Sequence, residues 1–173
     1  TYDQRLKPHA VLTAGSKTFA YDPNGNMISM REGSKTRTLS WDEENRLLTT
    51  SDNGLTTTYR YDEKGNRVYK SGNEGTVLYV NGNYTVRNGT LASKHVFAGN
   101  TRVCSKVALS GANESLYYYH GDHLGSSSVI TDKTGAYYES LEYFPYGETW
   151  VQEKVSADQV LVPYKFTGKE QDP

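Results

Sequence analysis

The chain reads YDPNGNMISM at 21–30, WDEENRLLTT at 41–50 and YDEKGNRVYK at 61–70, so an aromatic, an acid and then Gly or Asn return every twenty residues. In a D-x-x-G segment the Asp carboxylate can accept bonds from backbone amides two residues on and close an Asx-type turn, while the fourth residue takes positive φ. Gly25 and Gly65 do this without a Cβ clash, and the middle copy places Asn45 there, the next most tolerant residue for left-handed geometry. The pattern predicts turns opened by Asp22, Asp42 and Asp62, with Tyr21, Trp41 and Tyr61 each ending an incoming strand. It also predicts that these aromatics stack from one hairpin to the next and link them.

Further turn signals at Gly33, Asn53-Gly54 and Asn73 to Gly75 bring the step between turns to roughly 8–12 residues, the spacing of successive short strands. Between the turns, KTFAYD, KTRTLSWD, LTTTYRYD and TVLYVNG alternate with a period of two and are rich in Thr, Val, Tyr and Phe. Two turns per twenty residues make each repeat a pair of antiparallel strands. The helix-like DEENRLL sits where its neighbours are turns and is read as a turn. A hairpin of this kind cannot bury its own face and persists only in an array.

Beyond residue 75 the repeat drifts. VLYVNGNYTVRNGTL carries the hairpin signals Asn81-Gly82 and Asn88-Gly89, and HVFAGNTRVCSKV reads as strand, turn, strand. The acid-to-Gly device returns twice, from Asp122 to Gly125 and from Asp132 to Gly135. WVQEKVSADQVLV, 150–162, is the least regular stretch and is read as a loop or short extra element. With no low-complexity linker, residues 1–173 form a single array, all-β and built of repeated antiparallel hairpins. It is regular over 1–75, degenerate over 76–116, and distinct again over 117–173.

Composition agrees with a wet sheet. Only 35% of the 173 residues are hydrophobic, and the mean hydropathy is −0.74. Yet 15 Tyr, 4 Phe and 2 Trp argue against disorder, since a Tyr ring packs while its hydroxyl stays hydrated. The 19 basic and 20 acidic residues are scattered, for a formal charge of −1, so neither a nucleic-acid footprint nor a polybasic membrane patch is visible. No apolar run approaches the roughly 20 residues of a membrane span. The single Cys104 excludes an internal disulfide and reads as a small apolar strand residue. The chain opens on Thr1 and stops at QDP, and is read as a fragment of a longer protein.

Competing chemistry is thin. His120, Asp122 and His123 put three candidate ligands or acid/base groups within four residues. Asp122 already has a turn role and no third ligand group lies at a proper distance, so this is read as a surface-turn cluster. His9 and His95 are isolated and read as packed or solvated. No phosphate loop, nucleophile elbow or paired carboxylates are found, and no cofactor, metal or catalytic residue is assigned.

The YDxxGN repeats, the KPHAV segment before them, the run YYYHGDHLGSSSVITDKTGAYYESLEYFPYGE from Tyr117, and PYKFTGKEQD at 163–172 together resemble the Rhs or YD-repeat family. The likeness is to the entry into its repeat-associated core. That family includes bacterial polymorphic toxins, the C component of insecticidal toxin complexes and the YD shell of teneurins. The resemblance implies hairpins edge-paired into a curved sheet that spirals around a cavity. It implies a shell segment holding a C-terminal toxin or effector cargo, exported from a bacterium or held at its surface. The partners implied are that cargo and the rest of the shell, and unpaired strand edges could also pair with copies of the chain. The sequons opening at Asn83, Asn88 and Asn113 are then chance. The family's aspartyl self-cleavage motifs, DPxGL in type, lie downstream of the segment resembling PYKFTGKEQD. Asp172 is therefore given no catalytic role, and Asp22-Pro23 lacks the Gly-Leu that should follow. An extracellular adhesive or carbohydrate-binding module, with outward Tyr and Trp stacking on sugar rings, is the alternative.

Overall fold

The computed structural model describes residues 1–2, 9–109, 114–155 and 162–171. It is all-β, with strands that pair in sequence order, and it divides into two compact units, Thr1–Tyr79 and Val80–Pro173. No helix among the described residues is long and apolar enough to cross a membrane.

The first unit is a meander of β1 (Thr13–Ala14), β2 (Lys17–Tyr21), β3 (Met27–Glu32), β4 (Lys35–Trp41), β5 (Leu47–Asp52), β6 (Leu55–Tyr61), β7 (Arg67–Gly72) and β8 (Gly75–Asn81). Each strand is antiparallel to the next. The pleat sorts the side chains. Ser40, Thr49, Thr58 and Ser71 form one cross-strand row, and Leu39, Thr50 and Thr57 lie on the opposite face. Of all these residues only Tyr59, Lys70 and Val77 are buried. DEEN is a turn, and tight turns at Gly33 and at Asn53-Gly54, all with positive φ, close the other ends of the hairpins.

The second unit continues with β9 (Tyr84–Arg87), β10 (Leu91–Ala98), β11 (Thr101–Leu109), β12 (Glu114–Gly121), β13 (Ser127–Asp132), β14 (Tyr137–Tyr143) and β15 (Thr149–Lys154), again antiparallel neighbours. The loop or extra element read over 150–162 is corrected for its first residues. Gln152 pairs with Leu141 and Val151 with Glu142, so this stretch is the outermost strand of the unit. Its polar composition hid it, because an edge strand with one face open needs few apolar residues. A core of Val107, Tyr117, Ile130, Tyr138, Leu141 and Val162 closes one face, and the Tyr117 and Tyr138 rings lie 4.5 Å apart.

Val162 belongs to a strap, residues 162–171, that lies on this unit's sheet. Its first four residues are buried, and Phe166–Gly168 make one 3-10 turn. The Ser127 amide donates to the Lys165 carbonyl (3.1 Å), and the Ser127 hydroxyl to the Tyr164 carbonyl (2.8 Å). Phe166 packs on Tyr143, ring centroids 5.5 Å apart.

Candidate functional site

Two features stand out from an ordinary sheet: an edge of repeated turns and a face closed by the strap. At each acid-led turn the backbone adopts one frame. The Asp22 amide donates to the Asn26 carbonyl at 2.9 Å and the Gly25 amide to the Asp22 carbonyl at 3.1 Å. The same two bonds recur from Asp42 to Arg46, from Asp62 to Asn66, from Asp122 to Ser126 and from Asp132 to Ala136. The fourth residue is always left-handed, with φ of 92° at Gly25, 60° at Asn45, 80° at Gly65, 79° at Gly125 and 82° at Gly135. The left-handed fourth residue is the position of this turn that needs positive φ, and a separate register shift lies just before the acid, at Ala20/Tyr21, Ser40/Trp41 and Arg60/Tyr61.

The carboxylate closes the frame. Oδ1 of Asp62 accepts from the Lys64 amide at 2.9 Å and the Asn66 amide at 2.8 Å, and Oδ2 from the Asn66 side chain at 3.0 Å. Asp42 does the same with Arg46, whose Nε lies 2.7 Å from Oδ2. These amides favour the charged form. The Arg46 amide holds Asp42 below the ordinary carboxylate value, as the Asn66 side chain does Asp62 and the Thr134 hydroxyl Asp132.

The aromatics do not link the hairpins by stacking. Among the described residues no ring contact joins Tyr21, Trp41 and Tyr61. Neighbouring strands lie about 4.8 Å apart, so equivalent positions of a two-strand repeat stand about 9.6 Å apart, outside the about 4.5–7 Å over which rings pair. What spans the gap is polar. Tyr21 Oη donates to the Val11 carbonyl, Trp41 Nε1 to that of Met27 and Tyr61 Oη to that of Leu47, each at 2.9 Å. The turns are also bonded to one another. Asn45 Oδ1 accepts from Asn24 at 2.9 Å and Asn26 at 2.7 Å. Arg46 reaches the Asp62 carbonyl at 3.1 Å and lies over the Tyr61 ring at 5.5 Å.

Two further copies of the frame carry no acid. Phe144 to Glu148 and Lys165 to Lys169 make the same pair of backbone bonds, with Gly147 at φ 91° and Gly168 at φ 66°. The signal that could have found them is the Gly three residues after Phe144 in YFPYGE and after Lys165 in YKFTGKE, once the acid is dropped from the pattern.

Under the strap lies a buried polar cluster that sequence spacing does not reveal. His95 on β10 is 4% exposed. Its Nδ1 is 2.7 Å from Ser105 Oγ on β11. Its Nε2 faces Tyr164 Oη of the strap at 3.3 Å and Thr85 Oγ1 on β9 at 3.4 Å, while Tyr119 Oη donates to Ser105 Oγ at 2.9 Å. Arg102 lies over the Tyr164 ring. Burial first, and then the charges of Arg102 and Arg87, push His95 down to about 4. Glu139, fully buried, accepts from Lys165 of the strap at 3.0 Å and from Gln152 at 2.5 Å. Among the described residues its Oε2 has no hydrogen-bond partner. Arg87 and Glu170 form a second ion pair.

The HGDH residues are not brought together as a site. Asp122 accepts the Leu124 and Ser126 amides, both at 2.8 Å, and exposed His120 faces Thr131 Oγ1 at 3.0 Å. Among the described residues no three His, Cys, Asp or Glu could share a metal ion. Cys104 is buried, and burial pushes its thiol up. The Asn83 side chain donates to the His95 carbonyl at 2.9 Å, and Asn88 sits at φ 49° in its turn. Asn113, Asp172 and Pro173 lie outside the described residues.

No protein-family model matches the chain, and no curated protein matches it. Among solved structures it is similar to a chain of the Photorhabdus luminescens Tc holotoxin pore, with 20% identity and a TM-score of 0.65. It is likewise similar to a chain of the TcdB2–TccC3–Cdc42 structure (18%, TM-score 0.70) and of TcdB2–TccC3 (19%, 0.66). Each match covers 90% of this chain but 11% of the other. The likeness shows the fold: an array of edge-paired antiparallel hairpins of the kind found in these toxin-complex chains.

Proposed function

We propose that this chain is a wall segment of an Rhs or YD-repeat shell, exported from a bacterium or held at its surface, which encloses a C-terminal toxin or effector polypeptide until delivery. The observation that carries the reading is the repeat itself. Twenty-residue hairpins joined side to side by turn contacts have almost no interior of their own, and such hairpins suit a thin wall wet on both sides better than a globule. The fold likeness to toxin-complex chains and the sequence resemblance support it. The outer strand β15, and the Thr1–Tyr2 segment that bonds alongside Val11 to Thr13, would join the rest of the shell, or copies of the chain when that is missing. The role is structural, so no catalytic residue is assigned. The test is limited proteolysis and imaging of the full-length parent. A hollow barrel whose cargo survives protease until the wall is opened supports enclosure, and a solid or rod-like particle with exposed cargo ends it.

An adhesive or carbohydrate-binding role is favoured by one observation. Phe144 and Trp150, 45% and 64% exposed, hold their rings 5.9 Å apart beside a Tyr146 that is 99% exposed. Saturable glycan binding lost in Trp150→Ala would support it; a wall segment shows none.

A further inference from the structure

The second unit carries a buried titratable group that the proposed function does not use. His95 stands between the sheet and the strap, and among the described residues the groups that bond it or act on its charge are neutral or cationic. From β9 come Thr85 and Arg87, from β11 Ser105 and Arg102, from β12 Tyr119 through Ser105, and from the strap Tyr164, with Glu170 of the strap one step further out against Arg87. The Glu170 carboxylate is paired with Arg87. On its own strand, Lys94 and Val96 face the opposite way and are exposed. Tyr164 sets its ring edge-on to the imidazole, centroids 4.9 Å apart, with Arg102 over that ring, and His95 beneath is buried.

We propose that His95 is a proton-operated catch for the strap: the neutral imidazole lets residues 162–171 lie on the β9–β14 face, and its protonation in an acidic compartment releases them. Among the described residues, a cation at His95 would face two arginines with no unpaired carboxylate against it to offset the charge, and lifting Tyr164, whose ring edge and hydroxyl stand against the imidazole, would hydrate it. The inference does not rest on the enclosure reading, since it concerns only the second unit.

The sign follows from linkage. A histidine held neutral by burial has a folded value below its free one, so the closed strap is fully favoured above the free value of 6.5 and loses that advantage as pH falls towards about 4. Between pH 7.5 and pH 5, opening that exposes the ring becomes more favourable by about 30-fold, and the whole shift gives about 300-fold. At pH 5 the turn carboxylates, which are held below 3.8, remain charged and do not contribute.

The test is amide exchange on the chain at pH 7.5 and 5, corrected for intrinsic rate. The reporters are Ser127, Lys165 and Gln171, whose amides bond into or within the strap, and the controls are Asn26, Arg46 and Asn66 in the first unit. The expected result is an about 30-fold loss of protection at the reporters, none at the controls, and no pH effect at the reporters in His95→Gln. Unchanged strap protection in the wild type, an equal loss at the controls, or a H95Q chain that folds and keeps the full pH effect each overturns the proposal. Should H95Q not fold, NMR titration of the wild-type ring decides. A midpoint near 4 that accompanies loss of strap protection supports the catch, and a midpoint near 6.5 with the strap still protected refutes it.

Discussion

The two units solve the same problem by different means. In Thr1–Tyr79, three acid-led turns in a row bond to one another through Asn24, Asn26, Asn45 and Arg46, and among the described residues only Tyr59, Lys70 and Val77 are buried. In Val80–Pro173 the acid-led turns no longer come at a regular twenty, and the sheet instead closes one face with Ile130, Leu141 and a strap. Lateral polar contacts suffice where the repeat is regular. Where it drifts, apolar cover takes over.

The largest effect that could break this comparison is in the covered face. Ile130→Ala, at a fully buried position, should cost about 2–5 kcal/mol, while Met30→Ala in the half-open first unit should cost clearly less. Denaturant unfolding of both variants, with exchange reporters in each unit, checks this; equal losses would mean that the first unit also depends on a core. Next come the shared turn frames. Gly65→Ala and Gly135→Ala force a side chain into left-handed backbone, for about 1–2 kcal/mol, and should cost the same in either unit. Gly147→Ala should cost more than both, because a Cβ there would come within 2.5 Å of Phe166 Cδ1 and push on the strap.

Smaller still is Asn45→Gly. It relieves φ 60° but removes the acceptor for Asn24 and Asn26, so the net should be a mild loss of thermal midpoint that Asn45→Asp partly restores. A gain in midpoint would show that the turn-to-turn bonds add nothing. The gentlest probe is acid. Asp42, Asp62 and Asp132 are held below their ordinary 3.8, so the stability they lend is complete above that value and lost as pH falls through their lower folded values. Carboxyl chemical shifts followed below pH 4 should show all three titrating under a free Asp, screened in part by their exposure.

Much of the fold was legible because its turns obey backbone chemistry. Gly25, Asn45 and Gly65 occupy the one position where left-handed φ is required, and the alternation between them fixes strands. The frames at Phe144 and Lys165 were not legible, since without the carboxylate nothing but a lone Gly marks them. Nor was the role of Tyr21, Trp41 and Tyr61, where stacking was the wrong inference: the repeat spans two strand spacings, too far for rings but within reach of a hydroxyl or indole N–H. His95 looked isolated because its partners stand ten residues off at Thr85 and Ser105 and 69 off at Tyr164. Only the phase set by outward Lys94 hinted that it points inward.

Strand order that follows chain order has a temporal consequence. Each ribbon of the first unit can zip onto its predecessor as it leaves the ribosome, with no need to wait for distant sequence. The Arg87–Glu170 pair, 83 residues apart, obeys a different clock: the covered face cannot be finished until the strap as far as Glu170 has been made. Pulse-labelled exchange during refolding should therefore see Asn26 and Asn66 shielded well before Ser127.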